Sequence, residues 1–222
     1  MKTRMIIIRH GQSIANAQSR FAGHSDFDLT ELGHEQARRA AEYLYNSGEK
    51  LDKIYSSDLL RAHNTALPFA QKYDLPINDT EGLREIFAGA WESMKVDDIF
   101  EQYQDAFVTW RTDIANARCV GGESTQELYT RIISFVKELA QANEGKTILL
   151  ATHATPIRAI ECYSHGWSGE RIGDVSFVRN SAMNIYEYED GEIKAIKTDI
   201  VDHLDSSMIT KVPKNLDDIN KK

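Results

Sequence analysis

The sequence predicts an α/β protein, namely a three-layer α/β/α sandwich with a mostly parallel central sheet and a helical lid insertion. Three observations lead to this prediction. Short apolar runs rich in β-branched residues alternate with segments of helical spacing, as in strand–loop–helix units. Two of these runs end in a histidine, at the edge where open α/β sheets bind ligands. Between residues 88 and 122 the apolar spacing is helical, and no strand pattern occurs.

The first strand–helix unit begins the chain. Residues 4–8 form a short β-branched run that predicts a buried strand, and this strand delivers residues 9–11 at its carboxyl end. Thr30 has the side chain of a helix N-cap, and small and apolar residues follow it at helical spacing. Residues 46–48 end this helix, because Asn-Ser-Gly is a typical stop signal.

A second unit follows directly. Residues 51–55 read as a strand and residues 56–58 as the cap of the next helix. Pro68 interrupts the helical pattern and predicts a kink near Asn64. The inward face of this helix is predicted to comprise Leu59, Ala62, Ala66, Phe69 and Ala70.

The second half of the chain repeats the arrangement. Ser124 and Glu127 have the spacing of a capping box and predict the start of a long amphipathic helix. Residues 148–151 then form a third strand that ends at His153. The Thr-Pro pair at 155–156 predicts an N-cap and a first-turn proline for the following helix.

Two further strands are expected near the end of the chain. Residues 182–188 and 192–197 flank the Asp-Gly pair at 190–191, which predicts a β-hairpin. Residues 1–204 are therefore expected to form a single domain, with the insertion at about 88–122 as a lid. The polar residues 205–222 are expected to form a peripheral tail.

Composition restricts the class of protein. The formal net charge of −8 disfavours a protein that wraps nucleic acid or coats an anionic membrane, so an anionic ligand needs a local positive cluster. The apolar run in residues 5–8 is far too short for a signal sequence or a membrane span, which predicts a cytoplasmic protein. Cys119 and Cys162 are expected to be free thiols, since two cysteines make neither a disulfide framework nor a zinc site.

One segment, residues 9–16 (RHGQSIAN), resembles the signature of the histidine phosphatase superfamily, the phosphoglycerate-mutase-like group. Four further regions resemble the family's blocks in the same order, and together the matches span about residues 4–188. These regions are residues 21–37, residues 56–66, residues 83–92, and residues 122–124 together with 152–158. The joint match is specific, whereas the triplet Arg9-His10-Gly11 alone recurs by chance.

Phosphoryl chemistry explains why these residue types are needed. Arg9 and Arg61 can each offer forked N–H donors to phosphate oxygens. Neutral His10 can attack phosphorus near pH 7, with its other ring nitrogen donating to a backbone carbonyl. His153, just before a helix N-terminus, can donate to a phosphate oxygen. By resemblance, Glu85 protonates the leaving group and then activates water.

The resemblance implies further binding residues that line the phosphate pocket. Beyond the arginines and histidines, they are Gly11, Gln12, Ser13, Asn16, Ala22, Gly23 and Ala154. Neither a metal nor a cofactor is expected. Glu92 is the nearest rival to Glu85 as the acid, although a supporting role is expected for it, and His24 lies in a loop that borders the expected pocket.

The resemblance implies a metal-independent phosphatase that hydrolyses a small phosphorylated metabolite through a phosphohistidine on His10. Two alternatives stay open: a phosphoglycerate mutase, and a non-catalytic phosphate-binding protein of the same fold. The mutase ranks lower, because the chain lacks the asparagine-rich stretch and the long basic insertion of family mutases. The lid, with Lys95, Arg111 and Arg118, would set specificity, but the sequence identifies neither the substrate nor whether the chain forms a homodimer.

Overall fold

A six-stranded sheet forms the centre of the protein, whose computed structural model describes residues 1–210. The strands are β1 (Thr3–Arg9), β2 (Lys53–Ser57), β3 (Ile77–Thr80), β4 (Thr147–Thr152), β5 (Met183–Glu189) and β6 (Glu192–Ile200). Their order across the sheet is β3-β2-β4-β1-β5-β6. The first four strands in that order are parallel, whereas β5 runs antiparallel to β1 and to β6. The predicted mostly parallel sheet and the hairpin at Asp190-Gly191 are both confirmed.

Helices cover both faces of this sheet. They are α1 (Ile14–Ala17), α2 (Glu31–Asn46), α3 (Leu60–Tyr73), α4 (Val96–Gln102), α5 (Gln104–Thr112), α6 (Thr125–Gln141) and α7 (Ala154–Ser164). Two predicted helix starts are confirmed: Thr30 caps α2 through its hydroxyl, and Ser124 and Glu127 form the capping box of α6. Pro68 lies inside α3, which continues past it to Tyr73.

The three layers follow from the alternation of side chains along β1. Ile6 and Ile8 belong to the apolar cluster beneath α2 and α3, whereas Met5 and Ile7 belong to the cluster beneath α6 and α7. All four side chains are fully buried. Burial of each is worth roughly 1.5–3 kcal/mol relative to exposure. The sheet is therefore apolar on both faces, as a parallel sheet between helices requires.

Two predicted caps are wrong. Ser56 and Ser57 do not cap α3, because they pair with Ala151 and Thr80 as the last residues of β2. Leu59 is the N-cap of α3 and makes no side-chain cap bond. The predicted N-cap at Thr155 is also wrong. Helix α7 begins at Ala154, so its N-cap is His153.

Pro156 accounts for part of the wrong N-cap prediction at Thr155. Pro156 is the third residue of α7, where the missing N–H costs nothing because first-turn N–H groups have no partner within the helix. The edge strand β3 was not predicted, because its sequence Ile-Asn-Asp-Thr is mostly polar and has no apolar alternation.

The insertion at 88–122 is helical, as predicted. It contains α4, α5 and single 3₁₀ turns at Gly89–Trp91 and Ile114–Asn116. The fully buried Trp91 packs edge-on against Phe107, with 5.9 Å between ring centroids, and against Phe21, with 5.5 Å. Phe100, by contrast, is 43% exposed. A lid function for this segment stays a prediction.

The first residues of the predicted tail pack against the domain. The main-chain oxygen of Met208 accepts a 2.7 Å hydrogen bond from Gln36, and the Thr210 hydroxyl donates to the Asn180 side chain at 2.7 Å. The rest of the predicted tail, residues 211–222, lies outside the described residues. Cys119 and Cys162 are free and buried. Across residues 1–210, none of the helices has the length and apolarity needed to cross a bilayer.

Candidate active site

The two strand-end histidines lie side by side. Because β1 and β4 are neighbouring parallel strands, Arg9 is in register with Thr152, and the main-chain N–H of His10 donates to the Thr152 oxygen at 2.9 Å. The rings of His10 and His153 are 5.2 Å apart between centroids and meet edge to face. They are 4% and 0% exposed, respectively. The predicted pairing of these histidines at one edge of the sheet is therefore present.

The His10 ring is held through Nδ1. This nitrogen lies 2.7 Å from the carbonyl oxygen of Gly11, and a carbonyl can only accept, so Nδ1 carries the proton. Burial lowers the pKa of His10 well below its usual value, and the charges of Arg61 and Arg9 lower it further. The ring is thus neutral near pH 7 and its Nε2 is unprotonated, which is the form of a nucleophile.

The His153 ring has the opposite nitrogen engaged. Nε2 lies 2.9 Å from the Ser57 hydroxyl oxygen, whereas Nδ1 is buried and has no hydrogen-bond partner among the described residues. Burial, followed by the charge of Arg61, lowers the pKa of His153 well below its usual value. As the N-cap of α7, this residue lies at the positive end of the helix dipole.

Arg9 reaches the site from the last position of β1. One terminal nitrogen donates to the Val178 oxygen at 2.6 Å, and the guanidinium lies 5.0 Å from the centre of the Phe177 ring. Its Nε is buried without a partner among the described residues. Burial lowers the pKa of Arg9 to about 10, so the side chain keeps its charge at neutral pH. A buried cation with an unused donor is an anion-binding group.

Arg61 enters from the first turn of α3. Its two terminal nitrogens donate to the oxygens of Gly23 at 2.7 Å and Ser25 at 2.9 Å. Its Nε also lacks a partner within the described part of the chain. Burial lowers the pKa of Arg61 to about 10, and the charge of Glu85 opposes that shift. The Gly23 backbone has a φ of +50°, and a Cβ there would overlap the Glu92 carboxylate.

The loop after His10 is fixed by very close backbone contacts. The Gly11 N–H donates to the Thr65 hydroxyl at 3.0 Å, and that hydroxyl donates to the Arg61 oxygen at 2.7 Å. A Cβ on Gly11 would overlap the Gly33 carbonyl, and a Cβ on Gly33 would overlap that of Gln12. Both glycines are therefore needed for α2 to pack against this loop.

Asn180 completes the loop from the far side and was not predicted. Its Nδ2 donates to the oxygens of His10 at 3.1 Å and Gly11 at 3.2 Å, and to the Asn16 side chain at 3.1 Å. Asn16 also forms a capping box with Ser13 at the start of α1. No motif marks Asn180 in the sequence; it lies just before β5, which pairs with β1.

The predicted acid, Glu85, lies at the amino end of α7. One carboxylate oxygen accepts from the Ile86 N–H at 2.9 Å and the other from the Thr155 N–H at 3.3 Å. Its charge opposes the lowering of the pKa of Arg9 and Arg61 by burial, so it lies within the field of both guanidiniums. The structure thus brings Glu85 to the arginines and histidines, and its role as the acid stays a prediction.

Glu92, the rival acid, has both oxygens engaged in the loop. They accept from the N–H groups of His24 at 2.8 Å, Ser25 at 2.7 Å and Ala88 at 2.9 Å, and also from the Ser25 hydroxyl. The His24 ring donates in turn to the Glu85 oxygen at 2.8 Å. These contacts favour a supporting role for Glu92, which ties the loop that holds Arg61 to the segment that carries Glu85.

The other predicted binding residues divide into two groups. The side chains of Gln12 and Ser13 are engaged locally, Gln12 with the Thr30 hydroxyl at 2.9 Å and Ser13 with the N–H of Asn16. Ala22 and Gly23 lie in the loop that holds Arg61, and Ala154 is the first residue of α7. Within residues 1–210, no group of three or more histidine, cysteine, aspartate or glutamate side chains is arranged to hold a metal ion.

Comparison with known proteins agrees with this geometry. The sequence model of the histidine phosphatase superfamily (branch 1) matches residues 5–200. Phosphoserine phosphatase 1 of Hydrogenobacter thermophilus is 31% identical over 201 residues, which cover 90% of this chain and 94% of the relative. A 2,3-bisphosphoglycerate-dependent phosphoglycerate mutase of Methylorubrum populi is 30% identical over 79% of this chain and 85% of its own length.

A solved structure extends the likeness to the fold. The mycobacterial glucosyl-3-phosphoglycerate phosphatase in complex with VO₃ superposes with a TM-score of 0.79 at 28% identity. The match covers 88% of this chain and 98% of that one.

Proposed function

We propose, from the premise that this chain belongs to the histidine phosphatase superfamily, that it hydrolyses a small phosphorylated metabolite through a phosphohistidine on His10, without a metal ion. The chain is a phosphoric monoester hydrolase, and the proposal adds the mechanism and the kind of substrate. One observation carries it. Three buried nitrogens, Arg9 Nε, Arg61 Nε and His153 Nδ1, have no partner among the described residues. The His153 ring lies 5.2 Å from the His10 ring between centroids, and the charges of both arginines act on His10.

A phosphate dianion matches these groups in charge and in hydrogen bonding. Buried donors without partners are costly, and an anion with three equatorial oxygens satisfies all of them. The two guanidiniums supply local positive charge in a chain whose formal net charge is −8. Binding of the phosphoryl group is thus the arrangement that completes the site.

In the first step, His10 Nε2 attacks phosphorus and the bond to the leaving oxygen breaks. The new bond is P–N, and the leaving alkoxide takes a proton from Glu85. Charge that grows on the equatorial oxygens is stabilised by Arg9, Arg61 and His153, which are already in place. In the second step, water attacks phosphorus, Glu85 takes its proton, and the P–N bond breaks to release inorganic phosphate and free His10.

His10→Ala tests the mechanism. Wild-type protein is expected to release phosphate from an aryl phosphate and to form an acid-labile phosphoenzyme, whereas His10→Ala forms none and loses turnover by about 10⁴-fold or more. Circular dichroism confirms that the variant folds. Retained turnover in a folded His10→Ala protein contradicts the proposal.

A second assay separates hydrolysis from the mutase alternative, which the matched mutase keeps open. Interconversion of 2- and 3-phosphoglycerate without phosphate release would identify a phosphotransferase. A protein that binds phosphate but turns over neither class of substrate would be a binding protein of the same fold.

The identity of the substrate is best sought by a screen of phosphorylated metabolites with phosphate detection. Phosphoserine and glucosyl-3-phosphoglycerate head the screen, since phosphatases of similar sequence and fold are named for them. A cytoplasmic location and a homodimer stay predictions, which fractionation and size-exclusion chromatography with light scattering would check.

A further inference from the structure

Ser57 is the hydroxyl that holds the second histidine. It is fully buried at the end of β2, and its Oγ lies 2.9 Å from His153 Nε2. We propose that Ser57 is a positioning residue that keeps the ring proton of His153 on Nδ1, so that this nitrogen can donate to the phosphoryl group. The consequence for phosphate rests on the proposed function, whereas the position of the proton does not.

The hydrogen-bond partners of Ser57 favour this assignment. Within the described residues, its Oγ has contacts with two groups, His153 Nε2 and the N–H of Leu59 at 3.4 Å. The N–H of Leu59 can only donate, so it uses a lone pair of the oxygen. The hydroxyl proton then needs an acceptor, and the unprotonated Nε2 of His153 is the one in reach.

The opposite assignment leaves more groups unsatisfied. If Nε2 carried the proton and donated to Ser57, the buried hydroxyl proton would have no acceptor. His153 Nδ1 would then be a buried lone pair without a donor, since it has no partner among the described residues. With the proton on Nδ1, the Ser57 bond is complete and a single donor is left over. The ring that carries this donor lies 5.2 Å from the His10 ring between centroids, so the donor belongs to the neighbour of the proposed nucleophile.

The inference gives both histidines the same tautomer with opposite uses. In His10, Nδ1 donates its proton to the Gly11 carbonyl, and Nε2 is the nucleophile. In His153, Nε2 accepts the hydrogen bond of the Ser57 hydroxyl, and Nδ1–H is the donor without a partner among the described residues. A hydroxyl is suited to the second task because it can donate to a ring nitrogen, which a carbonyl cannot do.

The direct test measures the tautomer of His153 in the free protein. Long-range ¹H–¹⁵N correlation spectra of ¹⁵N-histidine protein at pH 7 distinguish a protonated Nδ1 from a protonated Nε2, and His153→Gln assigns the signals. The proposal expects Nδ1–H in wild type and a loss of that preference in Ser57→Ala. Nε2–H in the wild-type protein would overturn it, and this measurement requires no folded serine variant.

Ser56 provides a matched control. It is the preceding residue on β2 and is fully buried too, but its hydroxyl donates to the Ser57 oxygen at 2.7 Å and makes no hydrogen bond to His153. Ser56→Ala is expected to keep the wild-type tautomer of His153. Ser57→Ala is expected to weaken inhibition by inorganic phosphate about 10-fold and to lower kcat/KM by about 10- to 100-fold. Ser57→Ala with unchanged tautomer and unchanged phosphate inhibition would refute the role.

The two proposals fail separately. A wild-type protein with Nδ1–H on His153 but no turnover of any phosphomonoester overturns the proposed function and leaves the role of Ser57 in proton placement intact. An active phosphatase with Nε2–H on His153 overturns the role of Ser57 in proton placement and leaves the proposed function intact.

Discussion

The carboxyl ends of β1 and β4 are alike in position, because each is followed by a buried histidine, yet the two histidines have different hydrogen-bond partners. Both strands are central and parallel, and both end in a buried histidine at the same edge of the sheet. After β1 the chain makes a glycine loop, and the ring of His10 is tied to the Gly11 carbonyl. After β4 it enters α7 directly, and the ring of His153 is tied to a hydroxyl of β2.

This difference teaches that the hydrogen-bond partner of a histidine ring, rather than the position of the histidine at a strand end, decides its role. A carbonyl partner leaves His10 with an unprotonated nitrogen, whereas a hydroxyl partner allows His153 to present a proton. Burial, and then the charge of the neighbouring arginines, lowers the pKa of both rings, so both are neutral and the two do not differ in charge. The predictions below test how far the two strand ends differ.

The largest expected effect compares the two alanine variants. His10→Ala removes the bond-forming nitrogen, so no phosphoenzyme forms. His153→Ala removes one donor, so phosphoenzyme still forms, but kcat falls by about 10²- to 10³-fold. Rapid-quench measurement of acid-labile phosphoenzyme distinguishes them. Equal loss of phosphoenzyme in both folded variants would remove the assigned difference between the strand ends.

A smaller effect is expected from the buried threonines that support the two ends. Thr65→Val leaves the Gly11 N–H without its acceptor, which costs about 1–3 kcal/mol in the free energy of unfolding, and it lowers kcat/KM about 10-fold for all aryl phosphates. Thr152 donates to the Leu83 oxygen at 2.7 Å, two residues before Glu85. Thr152→Val is therefore expected to slow substrates with poor leaving groups more than those with good ones.

Leaving-group series for both variants, with urea denaturation for stability, check this pair of predictions. A Thr65→Val variant that slows poor leaving groups selectively would mean that the β1 end also controls the acid.

The smallest effect concerns pH and stability. Because burial lowers the pKa of His10 and His153 below the unfolded value of about 6.5, the unfolded chain binds more protons in the window below pH 6.5. The free energy of unfolding should therefore fall as the pH drops through that window, by at most about 1.4 kcal/mol per pH unit for each histidine. His203, whose pKa burial lowers to about 4, acts in the same direction.

Urea denaturation at pH 7, 6 and 5 measures this slope. Either His10→Ala or His153→Ala should reduce it by a similar amount, because burial is the leading cause of the shift in both. Slopes equal to that of wild type in both variants would contradict the neutral state of the rings. Between pH 7 and 8 all these proteins should show no histidine-dependent change.

Much of the sheet was predictable, since β1 and β4 are continuous apolar runs buried on both faces. The edge strand β3 was not predictable from the sequence. Its residues are mostly polar and not fully buried, and it is recognised as a strand only by its backbone pairing with β2. Local signals were also misleading at Ser57, where a serine before a helix suggested a cap. The structure uses its hydroxyl for His153, which lies 96 positions away.

The candidate site shows the same division. Arg9, His10, Arg61, Glu85 and His153 were identified by motif and are brought together by the fold. Asn180 escaped detection, because it acts through hydrogen bonds to backbone that is distant in the sequence. Thr65 lay within a matched region, but the sequence did not indicate its hydrogen bond to the Gly11 N–H. Physical reasoning from residue types can name groups that carry charge or a nucleophile. It does not name the polar side chains that merely satisfy a distant N–H or carbonyl.

The long-range bonds of Asn180 also bear on biosynthesis. His10 is synthesised well before Asn180, which donates to the carbonyls of His10 and Gly11, and Asn180 in turn accepts a hydrogen bond from Thr210. At about 5–20 residues per second, roughly 10 to 40 s pass between the synthesis of His10 and that of Thr210. Strand β1 is thus synthesised long before the contacts at its carboxyl end are complete, and a nascent chain stalled between these points would carry His10 without the candidate site around it.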